Sequence, residues 1–136
     1  MKPKIFPIIQ ARMNSTRFPG KAMKKIDKTS MLFHVIQQTK ASKYVEDVII
    51  ATTNSKNDKK IVDFCKNHNI KYFCGSETNV LDRYYKCALK FSCDPVVRIS
   101  SDCPFIDPQV IDKVISKFLK NSFDYVSNNF KKTSNN

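Results

Sequence analysis

A chain of 136 residues that is 41% apolar fits one domain with a real core. No apolar run approaches the roughly eighteen residues of a membrane span, and the Ile5–Ile9 run is too short for a signal-peptide core, so a cytoplasmic protein is expected. A net charge of +12 asks for an anionic partner, and a polyanionic small molecule fits it as well as nucleic acid does. Nucleic acid is the less favoured of the two. Lys24-Lys25, Lys59-Lys60 and Lys131-Lys132 fall on different predicted elements, and no aromatic-interleaved basic stripe joins them.

The first element is a buried strand over Ile5–Ile9. It runs into a loop from Gln10 to Lys21 that holds Arg12, Arg17 and Lys21, with Asn14, Ser15 and Thr16 between them. Pro19-Gly20 closes the loop and suits the centre of a type II turn. Arg12 and Arg17 are two of only four arginines among 24 cationic residues. Arginine offers phosphate a rigid bidentate fork that lysine lacks. A strand feeding a cationic, hydroxyl-rich loop is a common way for an α/β protein to hold polyphosphate. The bland alternative is a solvated basic loop. The pattern GxxxxGK[ST] is absent, which disfavours a P-loop nucleotidase.

Ser30 predicts the cap of a helix with Met31, Leu32, Val35, Ile36 and Thr39 on one face. His34 falls inside this pattern and reads as core or flank rather than as a metal ligand. Val45–Ala51 predicts the second strand. It ends in Ala51-Thr52-Thr53-Asn54, which either lines a base pocket or simply turns into the next helix. Asn57 opens that helix, with Ile61, Val62 and Cys65 inward. Ile70–Phe73 predicts the third strand. Gly75-Ser76-Glu77 follows it, small and polar enough to read a base or ribose. Asn79 with Asp82 three residues on resembles a capping box, for a helix using Leu81, Tyr84, Ala88 and Phe91. Asp82 and Arg83 either face a nucleotide or pair on the helix surface.

Pro95–Ile99 predicts the fourth strand. Arg98 within it reads as a buried cation, either supporting a site from below or paired with Asp94 or Asp124. Asp102 follows at the strand's end. It suits a Mg²⁺ ligand among phosphate oxygens, or only a turn before Pro104. Asp107-Pro108 is a helix start with Asp as cap and Pro in the first turn. Val110, Ile111, Val114, Ile115, Phe118 and Leu119 continue it at helical spacing. Phe123–Val126 predicts a fifth strand before a polar tail. The five cysteines are never spaced as CxxC and read as reduced, packed thiols.

The alternation βαβαβαβαβ predicts a parallel sheet with helices on both faces. In a doubly wound sheet ordered 3-2-1-4, the switch point lies between strands one and four. The loops leaving those strands are the cationic loop and the one bearing Asp102.

These segments, in this order, resemble the sugar cytidylyltransferase family. That family includes the acylneuraminate and 3-deoxy-manno-octulosonate cytidylyltransferases and a branch tied to spore-coat polysaccharide synthesis. The residues that carry the likeness are Gln10 to Lys21, Ala51-Thr52-Thr53, Gly75-Ser76-Glu77 through Arg83-Tyr84-Tyr85, and Arg98 to Pro108. The resemblance implies a doubly wound, mostly parallel, Rossmann-like nucleotidyltransferase fold related to GT-A. Residues 1–127 would form its N-terminal portion and 128–136 a polar tail. It implies transfer of CMP from CTP to a sugar, often an acidic one, with Mg²⁺ as cofactor and pyrophosphate released. Arg12, Ser15, Arg17 and Lys21 would bind the triphosphate, with Arg12, Lys21 and Asp102 in catalytic roles. Asp102 would be the metal ligand, and Thr52, Asp82 and Arg83 would lie near base and ribose.

Ser101 stands where the family commonly has Gly. Family members also continue past the point matching Asn136, into a stretch with a second metal carboxylate, most of the sugar pocket and the dimer arm. The expectation is therefore a nucleotide-binding half whose homodimer needs that stretch. The alternative is a truncated, inactive nucleotide-binding module of the same fold.

Overall fold

The computed structural model describes residues 5–13, 25–26, 29–93, 96–100 and 107–121. Among these residues the main sheet has four parallel strands: β1 (Ile8–Gln10), β4 (Ile49–Thr53), β5 (Lys71–Gly75) and β6 (Arg98–Ser100). They lie in the order β5-β4-β1-β6, which is the predicted 3-2-1-4 arrangement. Ile8, Ile9 and Gln10 pair with Ile49, Ile50 and Ala51 on one side and with Arg98, Ile99 and Ser100 on the other. β1 is thus interior to the sheet, and the strand-order reversal falls beside it.

The strand ends differ from expectation for local reasons. Pro7 has no N–H, so the β1 ladder begins at Ile8, and Ile5 keeps only an isolated bridge to Val45. The Asp47 side chain accepts the Val48 N–H at 2.8 Å, which delays the start of β4. β4 then continues through Thr52 and Thr53, paired with Cys74 and Gly75. A two-strand antiparallel ladder, β2 (Lys25–Ile26) with β3 (Thr29–Ser30), was not foreseen. The expected fifth strand, 123–126, lies outside the described residues.

Helices cover both faces. α1 (Met31–Lys40), α2 (Lys59–Asn67) and α4 (Pro108–Asn121) pack Leu32, Val35, Ile36, Ile61, Cys65, Ile111 and Ile115 against Ile9, Ile50 and Ile99. On the other face α3 (Val80–Phe91) packs Tyr84 and Cys87 against Ile8, Ile49 and Ala51. Strands buried on both sides read as unbroken apolar runs, which is why the sequence shows them as such. Each fully buried Ile contributes about 1.5–3 kcal/mol of transfer free energy.

The caps are where the sequence places them. Ser30 accepts the Phe33 N–H at 3.2 Å, Asn79 the Asp82 N–H at 3.0 Å, and Asp107 the Gln109 N–H at 2.8 Å. The five α1 residues expected inward are its buried ones. One α3 expectation is corrected. Leu81 is 71% exposed, because the helix turns Arg83, Tyr84 and Cys87 to the sheet and leaves Leu81, Tyr85 and Leu89 outward. Among the described residues, no helix is long and apolar enough to cross a membrane.

Candidate functional site

Three chain segments meet at the carboxyl ends of β1, β4 and β5. Ala11 extends the ladder past β1, its N–H donating to the Ala51 carbonyl at 3.0 Å. Arg12 follows, half-buried. Thr52 and Thr53 end β4, and both are buried.

Beyond β5, the first turns of α3 carry Arg83 into the interior with no exposed surface. The space it occupies depends on Gly75. A Cβ there would lie 2.9 Å from Arg83 Cγ and 2.8 Å from Phe73 Cε2, closer than real side chains approach. Arg83 Nε donates to the Ser76 carbonyl at 2.9 Å, and Nη2 to the Glu77 carbonyl at 3.3 Å. The segment expected to read a base or ribose therefore also anchors this guanidinium.

Among the described residues, two buried polar atoms have no hydrogen-bond partner: Arg83 Nη1 and Thr52 Oγ1. An unsatisfied buried group costs about 1–3 kcal/mol, more when charged. Native proteins keep few of them, and each calls for a reason. Burial, and next the nearby Arg12 charge, pull Arg83 below its ordinary pKa, while Tyr84 and Asp58 oppose this. The charge of Arg12 thus acts on Arg83 from the same end of the sheet, and Arg83 holds a free donor. That arrangement gains on receiving an anion or an oxygen-rich ligand.

A carboxylate that sequence reasoning missed completes the cluster. Asp58 is buried and accepts the Met13 N–H at 2.6 Å and the Thr53 hydroxyl. Thr53 Oγ1 in turn accepts the Ser55 N–H at 3.1 Å. The sequence predicts that Asn57 opens this helix, whereas Ser55 caps its entry, and Asp58 carries no local signal of its own. Here its side chain makes no cap bond and turns inward instead.

The remaining predicted residues divide as follows. Asp82 is engaged by Lys86 at 3.3 Å on the helix surface, so its carboxylate has a partner of its own. Ser15, Arg17, Lys21 and Asp102 lie outside the described residues. Ser100, two positions before Asp102, pairs with Gln10, two positions before Arg12. Arg98 is corrected: it is exposed rather than buried, and its guanidinium lies 4.2 Å from the Tyr84 ring centroid. Burial raises the Tyr84 pKa, and Arg98 works against that rise. Its expected partners Asp94 and Asp124 lie outside the described residues.

Cys65, Cys74, Cys87 and Cys93 are free, and burial above all pushes Cys65 and Cys87 up to about 12, where they stay protonated and unreactive at neutral pH. Among the described residues, no cluster of three His, Cys, Asp or Glu side chains forms a metal site.

Residues 6–136 match the family model described as Cytidylyltransferase. The chain belongs to the cytidylyltransferase family. It is 31% identical to the spore coat polysaccharide biosynthesis protein SpsF of Bacillus subtilis, over 87% of this chain and 51% of that one. It is 35% identical to a 3-deoxy-manno-octulosonate cytidylyltransferase of Geotalea daltonii, over 88% of this chain and 46% of that one. Among solved structures, a cytidylyltransferase from Leptospira borgpetersenii superposes with a TM-score of 0.81 at 36% identity, covering 87% of this chain and 50% of the other. The cytidylyltransferase domain described here thus spans about half the length of the relatives it matches.

Proposed function

We propose that this chain is the nucleotide-binding portion of an enzyme that transfers CMP from CTP to a sugar, giving a CMP-sugar and pyrophosphate for surface polysaccharide or glycan synthesis. The observation that carries the reading is Arg83: buried, locked by two carbonyls, one donor unpartnered, and within range of the Arg12 charge. The relatives bearing cytidylyltransferase names support it, and one of them acts on an acidic sugar by its name.

In this reading Arg12, Ser15, Arg17 and Lys21 bind the triphosphate. Thr52 and Arg83 serve base and ribose, with Asp82 at the rim. The sugar hydroxyl attacks the α-phosphorus in line with departing pyrophosphate. Catalysis rests on positioning and on neutralising the charge that builds on the phosphate oxygens. Asp102, close in sequence to the β6 end that pairs with β1, would hold Mg²⁺. A single carboxylate with phosphate oxygens and water is a donor set that suits this ion. When bound, Mg²⁺ would neutralise phosphate charge and polarise the phosphorus.

The test is a calorimetric titration with CTP and Mg²⁺, with ATP, GTP and UTP in parallel. Selective CTP binding is the expected result. Absence of binding to all four would sink the reading. Pyrophosphate release, assayed with an acidic sugar, then reports whether binding leads to transfer.

A further inference from the structure

Asp58 sits at the N-cap position of α2, where a short polar side chain ordinarily accepts a helix N–H. It does not do so. Its two oxygens are used on the Met13 N–H just past β1 and on the Thr53 hydroxyl at the end of β4. Met13 is 45 positions away, so this is a tertiary tie rather than a turn. The helical entry is capped instead by Ser55, whose hydroxyl accepts the Asn57 N–H at 3.3 Å, which leaves the Asp58 carboxylate free for these ties.

Both ties end at the candidate site. Met13 adjoins Arg12, and Thr53 adjoins Thr52, whose hydroxyl is the orphan on β4. A carboxylate–amide bond of this length is charge-assisted and among the stronger kinds. It fixes the direction in which the chain leaves β1, and with it the root of the Arg12 side chain. Asp58 is also close enough to Arg83 to favour its charged form, where Arg12 disfavours it.

We propose that Asp58 is a positioning residue for the nucleotide site: by holding the Met13 amide and the Thr53 hydroxyl together, it places Arg12 for phosphate. The proposal rests on the nucleotide reading given above. It makes a claim about sign that simple electrostatics does not share. A carboxylate near a polyphosphate site repels the ligand, so removing its charge alone would tighten binding. Removing a positioning residue weakens it.

The experiment measures CTP affinity with Mg²⁺ by calorimetry on the chain and on Asp58→Ala, with thermal melts to confirm that both are folded. Hydrogen exchange of the Met13 amide is followed without nucleotide. The expected result is affinity weakened roughly tenfold or more in Asp58→Ala, on the scale of one lost charged hydrogen bond, with faster Met13 exchange. Equal or tighter binding by the folded variant overturns the proposal, even if its melting temperature falls, because a merely structural carboxylate would lower stability alone. If the unaltered chain binds no nucleotide, the nucleotide reading fails first and this proposal fails with it. Should Asp58→Ala not fold, Thr53→Val is measured in its place. It removes only the hydroxyl's bond to the same carboxylate. Affinity weakened about threefold or more then supports the proposal, and unchanged affinity overturns it.

Discussion

The two ends of the β4–β5 pair handle charge in opposite ways. Where β4 begins, Asp47 meets Lys71 at 3.0 Å and Lys40 at 3.8 Å and accepts the Val48 N–H, all near solvent. Where the same strands end, Arg83, Asp58 and Thr52 are buried, two guanidinium groups repel each other, and two polar atoms lack partners. The first end is complete by itself. The second leaves buried polar groups unpaired. Satisfied surface pairs adjust stability slightly, whereas unsatisfied buried groups are few in native proteins and call for a reason, here proposed to be a bound nucleotide.

Substitutions sharpen the contrast. The largest effect is expected from Arg83→Met, which keeps much of the buried volume and removes the charge. Nucleotide affinity should fall roughly thirtyfold or more, while stability changes by less than about 1.5 kcal/mol, since an apolar replacement of an imperfectly paired buried ion is often neutral. A large loss of stability with affinity intact, read from urea unfolding and calorimetry, would break the comparison.

Gly75→Ala comes next. Its methyl must push Arg83 or Phe73 aside, so a stability loss of about 1–3 kcal/mol and roughly tenfold weaker binding are expected together. Thr52→Val removes the orphan hydroxyl. Stability should hold or rise by up to about 1 kcal/mol, with binding weakened only about threefold.

The smallest effect belongs to the other end. Burial works to raise the Asp47 pKa, but the Lys71 hydrogen bond, the Val48 amide and the lysine charges leave it lowered. A carboxylate with a depressed folded pKa contributes stability above its unfolded value of about 3.9, and that contribution is lost as pH falls through the folded pKa. Asp47→Asn should therefore cost less than about 1 kcal/mol near neutrality and flatten the acid limb of the stability curve. Nucleotide affinity should not change.

Most of the fold was legible because its signals are local. Apolar runs, the caps Ser30, Asn79 and Asp107, and the α1 face each depend on a few neighbouring residues. The two-residue β2–β3 ladder is too short to carry a period. Leu81 was misplaced because a helix rich in apolar residues on two sides does not say which side faces the sheet. That choice was made by Arg83 seated on Gly75. Arg98 was misread because a cation in a strand says nothing of the ring that α3 lays beside it. At the site, Arg12, Thr52 and Arg83 were named from the sequence and are grouped at one sheet edge. Asp58 was missed because its Met13 partner lies 45 positions away, and because Asn57 beside it reads as the helix start.

The central position of β1 has a kinetic consequence. β4 and β5 are joined by one short helix, whereas Ile8 must find both Ile49 and Arg98. Closing the longer loop costs more chain entropy and comes late. Pulsed hydrogen exchange during refolding should show β4 and β5 amides protected before those shared by β1 and β6. The proposed triphosphate end of the site, which in that reading needs β1 and β6 side by side, would be the last part of the protein to form.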